Sequence, residues 1–334
     1  MWALENLAGG AVLLGLVMYA VFGGADFGGG IWTALASGPR AAEQRESLFH
    51  AIGPVWETNH VWLIFVVVTL FTCFPKGFGA LFTVLLVPLV IALIGINFRG
   101  AAFAFRHFGG QTGRHIPFMA EVFTISSILT PFAMGVAVTA SVTGRIVLVD
   151  GQAKAEPWFW LSPFTLLGGV IGMGICAYLA PIYMTVRTDG ELQGDFRVRG
   201  IIAGLALGIL TAVEIPVAMM EVPLFAGRLL AHPVVYVVVL AAIFGIATQI
   251  LLWKLRFFCA QICAAGTVSL TLAGFVAAIY PDFLVGQLTL AGAAAPHVTL
   301  IAYFAILAVG TINLVPSLLL LYRTFGGESD AELS

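Results

Sequence analysis

Charge is what this sequence has least of. Asp, Glu, Lys and Arg make up only 10% of its 334 residues, against about 25% in soluble domains, too few to coat a water-facing globule. The 15 Lys and Arg nearly balance the 17 Asp and Glu, for a net charge of −2. No basic stripe is left to neutralise phosphates, which excludes a nucleic-acid binder. Four cysteines in a chain of this length exclude a disulfide framework, and neither a CxxC motif nor a Cys–His zinc spacing occurs. The GxxxxGK phosphate loop is missing too, so an ATP-driven motor has no support. Apolar residues, in contrast, reach 60%. These proportions describe a polytopic membrane protein.

About 20 apolar residues cross the hydrocarbon layer as a helix. Nine runs meet that need, at 5–27, 54–74, 79–105, 117–141, 160–186, 199–222, 232–253, 256–280 and 298–322. They are long and continuous instead of alternating in short segments, which selects helices over barrel strands. The expected fold is therefore all-α, a single integral-membrane domain over 1–334 with a short cytoplasmic C-terminal tail. With the N-terminus outside, the inner loops and span ends hold Arg40, Arg45, Arg99, Arg106, Arg114, Arg187, Arg197, Arg199, Lys254, Arg256 and Arg323. The outer set holds Lys76, Arg145, Lys154 and Arg228. That asymmetry predicts N-terminus out and C-terminus in. Ala34-Leu35-Ala36 resembles a signal-peptide cleavage site, but Glu5 replaces the usual basic n-region and Asp26 interrupts the stretch, so the first helix is read as retained. The longest loops, 142–159 and 281–297, are too short for a soluble domain.

Polar residues inside spans are costly and are functional candidates by default. Asp26 falls some 19 residues after Leu7, about 29 Å along the first helix and near the inner edge of the hydrocarbon. The second helix returns from inside, and Glu57 lies about 6 Å into it, at a comparable level. Two carboxylates on consecutive antiparallel helices can take up and pass on protons. The alternative is a pair of interfacial acids solvated by headgroups or paired with Arg40 or Arg45. The surroundings favour the first reading. Gly23-Gly24-Ala25-Asp26-Phe27-Gly28-Gly29-Gly30 permits close backbone approach or a break in the helix. Gly53-Pro54-Val55-Trp56-Glu57-Thr58-Asn59-His60-Val61-Trp62 sets an acid, an amide and an imidazole between two tryptophans.

Three segments carry a family resemblance: GADFGGG, GPVWETNHVWL, and Asn97-Phe98-Arg99-Gly100-Ala101-Ala102-Phe103-Ala104-Phe105-Arg106. With Ser126-Ser127-Ile128-Leu129-Thr130-Pro131-Phe132, they resemble subunit II of the cytochrome bd-type quinol oxidases over essentially the whole chain. The resemblance implies a terminal respiratory oxidase of the bacterial cytoplasmic membrane that oxidises quinol and reduces dioxygen to water without pumping protons. It implies two four-helix bundles plus one peripheral helix. Two b-type haems, one d-type haem and the quinol site are expected on the partner, subunit I. A small single-span accessory subunit, lipid and a structural quinone are further partners left open. Asp26 and Glu57 match the family's two membrane acids, on a proton path from the cytoplasm. Some members carry Asp at the second position, and Gln where this chain has His60.

Other polar residues are weighed beside these. Trp56, Asn59, His60, Arg99 and Glu121 are candidate supports of the pathway. His60 is the sole histidine well inside a span; haem ligation is the minor reading and a helix-to-helix hydrogen bond the commoner one. His50, His107, His115, His232 and His297 sit at span ends or in loops. Arg99 either partners Asp26 or Glu57 or snorkels to the headgroups. Glu121 suits a helix N-terminus. Glu214 and Glu221 share one face of the sixth span and are read as bonded to neighbouring helices, and Asp282 as a loop residue. Cys259 and Cys263 read as packing residues, and the Gly168/Gly172 and Gly204/Gly208 pairs as close helix contacts. Two other functions compete: an ion-coupled secondary transporter, which also uses membrane carboxylates and Pro-containing spans such as Thr130-Pro131 and Ile215-Pro216, and a purely structural subunit.

Overall fold

The computed structural model describes residues 4–52, 56–111 and 118–325, with side chains except at 52, 56–58, 106–111, 314–315, 318–319 and 321–325. Helix α1 (Leu4–Met18) runs through a π-helical segment (Tyr19–Gly23) into α2 (Gly24–Ala34). There follow α3 (Ala41–Ile52), α4 (Trp56–Cys73), α5 (Pro75–Val84), α6 (Leu86–Gln111) and α7 (Phe118–Ala140). A hairpin of β1 (Val147–Val149) and β2 (Gln152–Lys154) leads to α8 (Pro163–Arg187), α9 (Gly190–Glu221), α10 (Pro223–Leu229), α11 (Val234–Trp253) and α12 (Phe257–Ile279). A second hairpin, β3 (Asp282–Leu284) and β4 (Leu288–Thr289), precedes α13 (Leu290–Ala293) and α14 (His297–Phe325).

Among the described residues, seven helices are long and apolar enough to cross a membrane, or eight if the bent pair formed by α4 and α5 counts as one span. The apolar helix His297–Asn313, within α14, is shorter than the other spans. The continuous apolar run 79–105 is divided. Its first residues belong to α5, which turns by 118° from α4, and α6 starts afresh at Leu86. Proline explains both breaks. Pro75 takes the first position of α5, where a missing N–H costs nothing. Pro88 cannot donate to the carbonyl of Val84 and its ring would crowd that group, which is where α5 ends. Hydropathy alone registers neither event.

The two short hairpins are additions to the all-α expectation. In β1–β2, Val149 pairs with Gln152, and Asp150 and Gly151 both take positive φ, as a two-residue turn demands. Asp282, expected in a loop, opens β3 and accepts from Arg228 Nη1 at 2.8 Å.

Loop contacts sort the ends of the helices into two groups. At one end Arg40 binds Asp195, Arg187 donates to the Ala51 carbonyl and Arg197 to that of Leu252. At the other, Ala295 N–H donates to Cys73 and Leu148 N–H to Gln287, and Phe74 packs on Phe283. The largest apolar core joins α2, α3, α8, α9, α11 and α12 through Trp32, Leu48, Leu179, Phe196, Leu252 and Val268. Ile64, Phe71, Ile209, Ile246 and Ile306 are more than half exposed, a surface suited to acyl chains and not to water.

Candidate functional site

Asp26 lies in the first turn of α2 and is 6% exposed. Asn59, from the second turn of α4, donates from Nδ2 to Asp26 Oδ2 at 2.6 Å. The two sequence motifs thus meet at one level. A third element reaches the same point: Arg99 on α6 is 1% exposed and donates from Nη2 to the backbone carbonyl of Asp26 at 2.9 Å. That carbonyl has two lone pairs, so it can serve the helix and the guanidinium together. Arg99 Nε donates to Ser127 Oγ at 3.2 Å, and the Ser127 hydroxyl donates to the Phe123 carbonyl at 2.7 Å. Phe27 and Phe123 cover the guanidinium, at 4.7 and 5.2 Å from its carbon, a buried cation–π cage. Arg99 therefore does not snorkel. A cation this deeply buried persists because its donors and its faces are occupied.

The glycines act here through close approach, not as a break. A Cβ at Gly28 would lie 2.0 Å from the Cys176 carbonyl oxygen, and one at Gly30 2.1 Å from Ser127 Oγ. Bare α2 backbone is what lets α7 and α8 close on the acid. The local irregularity falls just before Asp26, in the π segment Tyr19–Gly23, a feature that recurs at functional positions in helices. Of the two GxxxG pairs, Gly168 and Gly172 face α7 tightly, with Thr139 and the Pro131 carbonyl at 2.2 and 2.5 Å from their added Cβ positions. Gly204 lies under Gln249, whereas Gly208 has nothing within 4 Å.

Other candidates fall at various distances from this centre. The side chains of Trp56 and Glu57 lie outside the described residues, as do those of Arg106, His107, Arg114, His115 and Arg323; Glu57 itself is in the first turn of α4. His60 is half-buried, its ring centroid 6.1 Å from that of Tyr19 and 6.2 Å from that of Phe27. Glu121 is exposed on the first turn of α7 and stands apart from the Asp26 cluster. Glu221 accepts from the Phe164 N–H at 3.4 Å, at the start of α8, and Glu214 is half-buried.

Arg40 and Arg45, the alternative partners of the two acids, do not pair with Asp26. Arg40 donates from Nε and Nη2 to Asp195 at 2.9 and 2.7 Å and also binds Glu191; the Asp195 hydrogen bond raises the affinity of its guanidinium for its proton. Arg45 donates to the carbonyls of Thr33 and Ala36, both at 3.3 Å. Gln44, 2% exposed, joins this group by donating to Asp195 at 2.8 Å and accepting from Arg199 at 2.5 Å. The loop after α2 is thereby fastened to the start of α9.

A haem needs an axial ligand and a pocket. Among the described residues no group of three His, Cys, Asp or Glu could hold a metal. A cavity of about 360 Å³ is lined by Ile125, Ile128, Leu129, Phe132 and Met173, without a histidine. His60 sits instead between two aromatic rings. The cavity offers no axial histidine to a haem.

The family model for cytochrome bd terminal oxidase subunit II matches residues 4–325. The chain belongs to this family. Among curated relatives, the cytochrome bd ubiquinol oxidase subunit 2 of Bacillus subtilis (strain 168) is 30% identical over 201 residues, covering 57% of this chain and 58% of that protein. The cytochrome bd-I ubiquinol oxidase subunit 2 of Escherichia coli (strain K12) is 30% identical over 194 residues, covering 57% and 50%. The chain thus spans little more than half the length of the curated relatives it matches. Its fold resembles that of a chain in the bd oxidase of Geobacillus thermodenitrificans, with a TM-score of 0.74, 22% identity, and coverage of 96% of this chain and 98% of that one.

Within this subunit II chain, the residues that sequence reading passed over are Ser127 and Tyr19. Ser127 lies in one of the resembling segments without an evident task until Arg99 is seen to bind it. Tyr19 is seven residues before Asp26, a spacing that places it two turns away in a regular helix and gives no local signal.

Proposed function

We propose that this chain serves as subunit II of a multi-pass terminal oxidase complex in the bacterial cytoplasmic membrane. The complex oxidises quinol, reduces dioxygen to water, and receives protons through Asp26 and Glu57. Two b-type haems, one d-type haem and the quinol site belong to the partner, subunit I, and supply the redox chemistry. Lipid, a structural quinone and a small accessory subunit complete the proposed assembly. Membership of the family supports the oxidase reading, and the resemblance implies that the haems belong to the partner.

The topology proposed is nine spans in two four-helix bundles plus a peripheral helix, with the N-terminus outside. Seven long helices support this count, and the bent pair and the shorter apolar helix within α14 are taken as the other two crossings. The Arg40, Arg187 and Arg197 end, richer in Lys and Arg, is assigned to the cytoplasm.

One observation carries the proton role: Asp26 is buried in a span and still holds a charge-assisted network with Asn59 and, beneath it, Arg99. Asn59 occupies Oδ2, which leaves Oδ1 to take and release the proton. Arg99 fixes the backbone beneath the acid and sets a positive charge beside it. Oxygen reduction consumes protons while quinol oxidation releases them outside, so an inner-side route builds a gradient without a pump.

The test is turnover in the purified complex. Asp26→Asn and Glu57→Gln are expected to slow oxygen consumption by about 100-fold, the lower end for a lost acid–base group, with haem content and spectrum retained. Normal turnover and proton uptake in both assembled variants refutes the proton role and leaves a structural subunit.

A further inference from the structure

We infer that Tyr19 is the proton-carrying group adjoining Asp26 on the route proposed above, linked to it by an ordered water. The inference rests on that proton-route reading. Tyr19 is 6% exposed, and its hydroxyl is buried without a hydrogen-bond partner among the described residues. Buried tyrosine hydroxyls are ordinarily bonded, so one left open inside a polar cluster marks a place for water.

The ring orientation locates that place. Tyr19 opens the π segment and its ring lies along the helix over Gly23: a Cβ there would stand 3.0 Å from Cε2 and 3.7 Å from Cζ, the carbon that bears the hydroxyl. Gly23 and Asp26 are three residues apart and share a face. The hydroxyl end of the ring is therefore on the Asp26 side of α2, within electrostatic range of both Asp26 and Arg99. Phe27 stands edge-on at 6.4 Å between ring centroids, which keeps the surroundings apolar. A buried water needs two to four polar partners; the Tyr19 hydroxyl and Asp26 Oδ1, the carboxylate oxygen that Asn59 does not bind, supply two.

The transfer balances without any redox partner. Protonated Asp26 gives its proton from Oδ1 to the water, which passes one of its own to the Tyr19 oxygen. Tyr19 releases its original hydroxyl proton to the next acceptor, and rotation of the C–O bond resets it. The phenol ends neutral and unaltered.

Tyr19→Phe removes only the hydroxyl. In the complex purified with its partner chains, turnover is expected to fall about tenfold, with unchanged KM for quinol, an unchanged haem spectrum and a larger solvent deuterium isotope effect. In an Asp26→Asn background the same change is expected to add no further loss, because both residues lie on one route. Gly23→Ala keeps the hydroxyl and displaces the ring, so it provides a second variant with the same expected signature. Slow turnover in Asp26→Asn, together with parental turnover and isotope effect in an assembled Tyr19→Phe or Gly23→Ala complex, overturns the assignment of Tyr19 alone. Parental behaviour in Asp26→Asn as well removes the route on which it rests.

Discussion

The junction of α2 with α7 makes a demanding prediction about one methyl group. In Gly30→Ala the new carbon would lie 2.1 Å from Ser127 Oγ, 2.3 Å from Ser127 Cβ and 3.3 Å from a ring carbon of Phe123. Rotating the hydroxyl relieves the first contact only; the second involves an atom fixed to the backbone, so the helices must separate. Overpacking of this kind costs about 1–3 kcal/mol. Displacing the hydroxyl also removes the bond it accepts from Arg99, worth about 1.5–3 kcal/mol because the donor is charged. A combined loss of about 2.5–6 kcal/mol corresponds to a melting temperature lower by roughly 10 °C. Thermal unfolding of the purified complex reads this directly. Ser127→Gly alone loses the two bonds of its hydroxyl and adds the cost of a helix-interior glycine, about 1 kcal/mol, and in the Gly30→Ala background it removes the clashing atoms. The double variant is therefore expected to melt no lower than Gly30→Ala, a departure from additivity that a double-mutant cycle measures. A Gly30→Ala complex that melts within about 1 °C of the parent, or a double variant with fully additive losses, refutes the close-packing account.

Further outcomes follow from the same geometry. Asn59→Leu removes the donor to Asp26 and is expected to slow turnover about tenfold, as loss of one charge-assisted bond of roughly 1.5 kcal/mol implies, with the haem spectrum as the control for assembly. At the opposite end of α2, Gln44→Leu leaves Arg199 and Asp195 each short of a partner and should cost about 1.5–3 kcal/mol in a denaturation assay. Glu191→Ala, at a side chain 82% exposed, should cost less than about 1 kcal/mol. Sidedness is open to labelling: Lys154→Cys is expected to react with an impermeant thiol reagent from outside intact cells, and Arg40→Cys only in inverted vesicles; the reverse pattern overturns the orientation.

The site was legible in the sequence because its acid and amide sit in dense, unusual motifs, and because antiparallel helices return to the same depth. Asp26 and Asn59 meet for that reason. Arg99 left two readings open, since spacing cannot say whether a long cation bends inward or toward the headgroups; Ser127 and the two phenylalanine rings decide it, and they come from residues far apart in the chain. The bent pair was illegible to hydropathy, which averages over Pro75 and Pro88 where the backbone cannot. The polar fastening of Arg40 and Gln44 to Asp195 was hidden for a different cause: its two sides are some 150 residues apart, and polar residues at the ends of helices give no periodic signal.

The π segment bears on how this helix tolerates change over time. One residue more per turn sets everything after Gly23 out of phase with everything before Tyr19, by about 100° around the axis. Straightening Tyr19–Gly23 into regular helix without shortening it would swing Asp26 away from Asn59 and Arg99, even though every residue type in the motif survived. Point substitutions along the lipid-facing side of α1 are absorbed locally, whereas a change that straightens this stretch without shortening it re-aims the acid itself. The alignment of the proton-bearing face is thus stored in the backbone path of this segment as much as in residue identity.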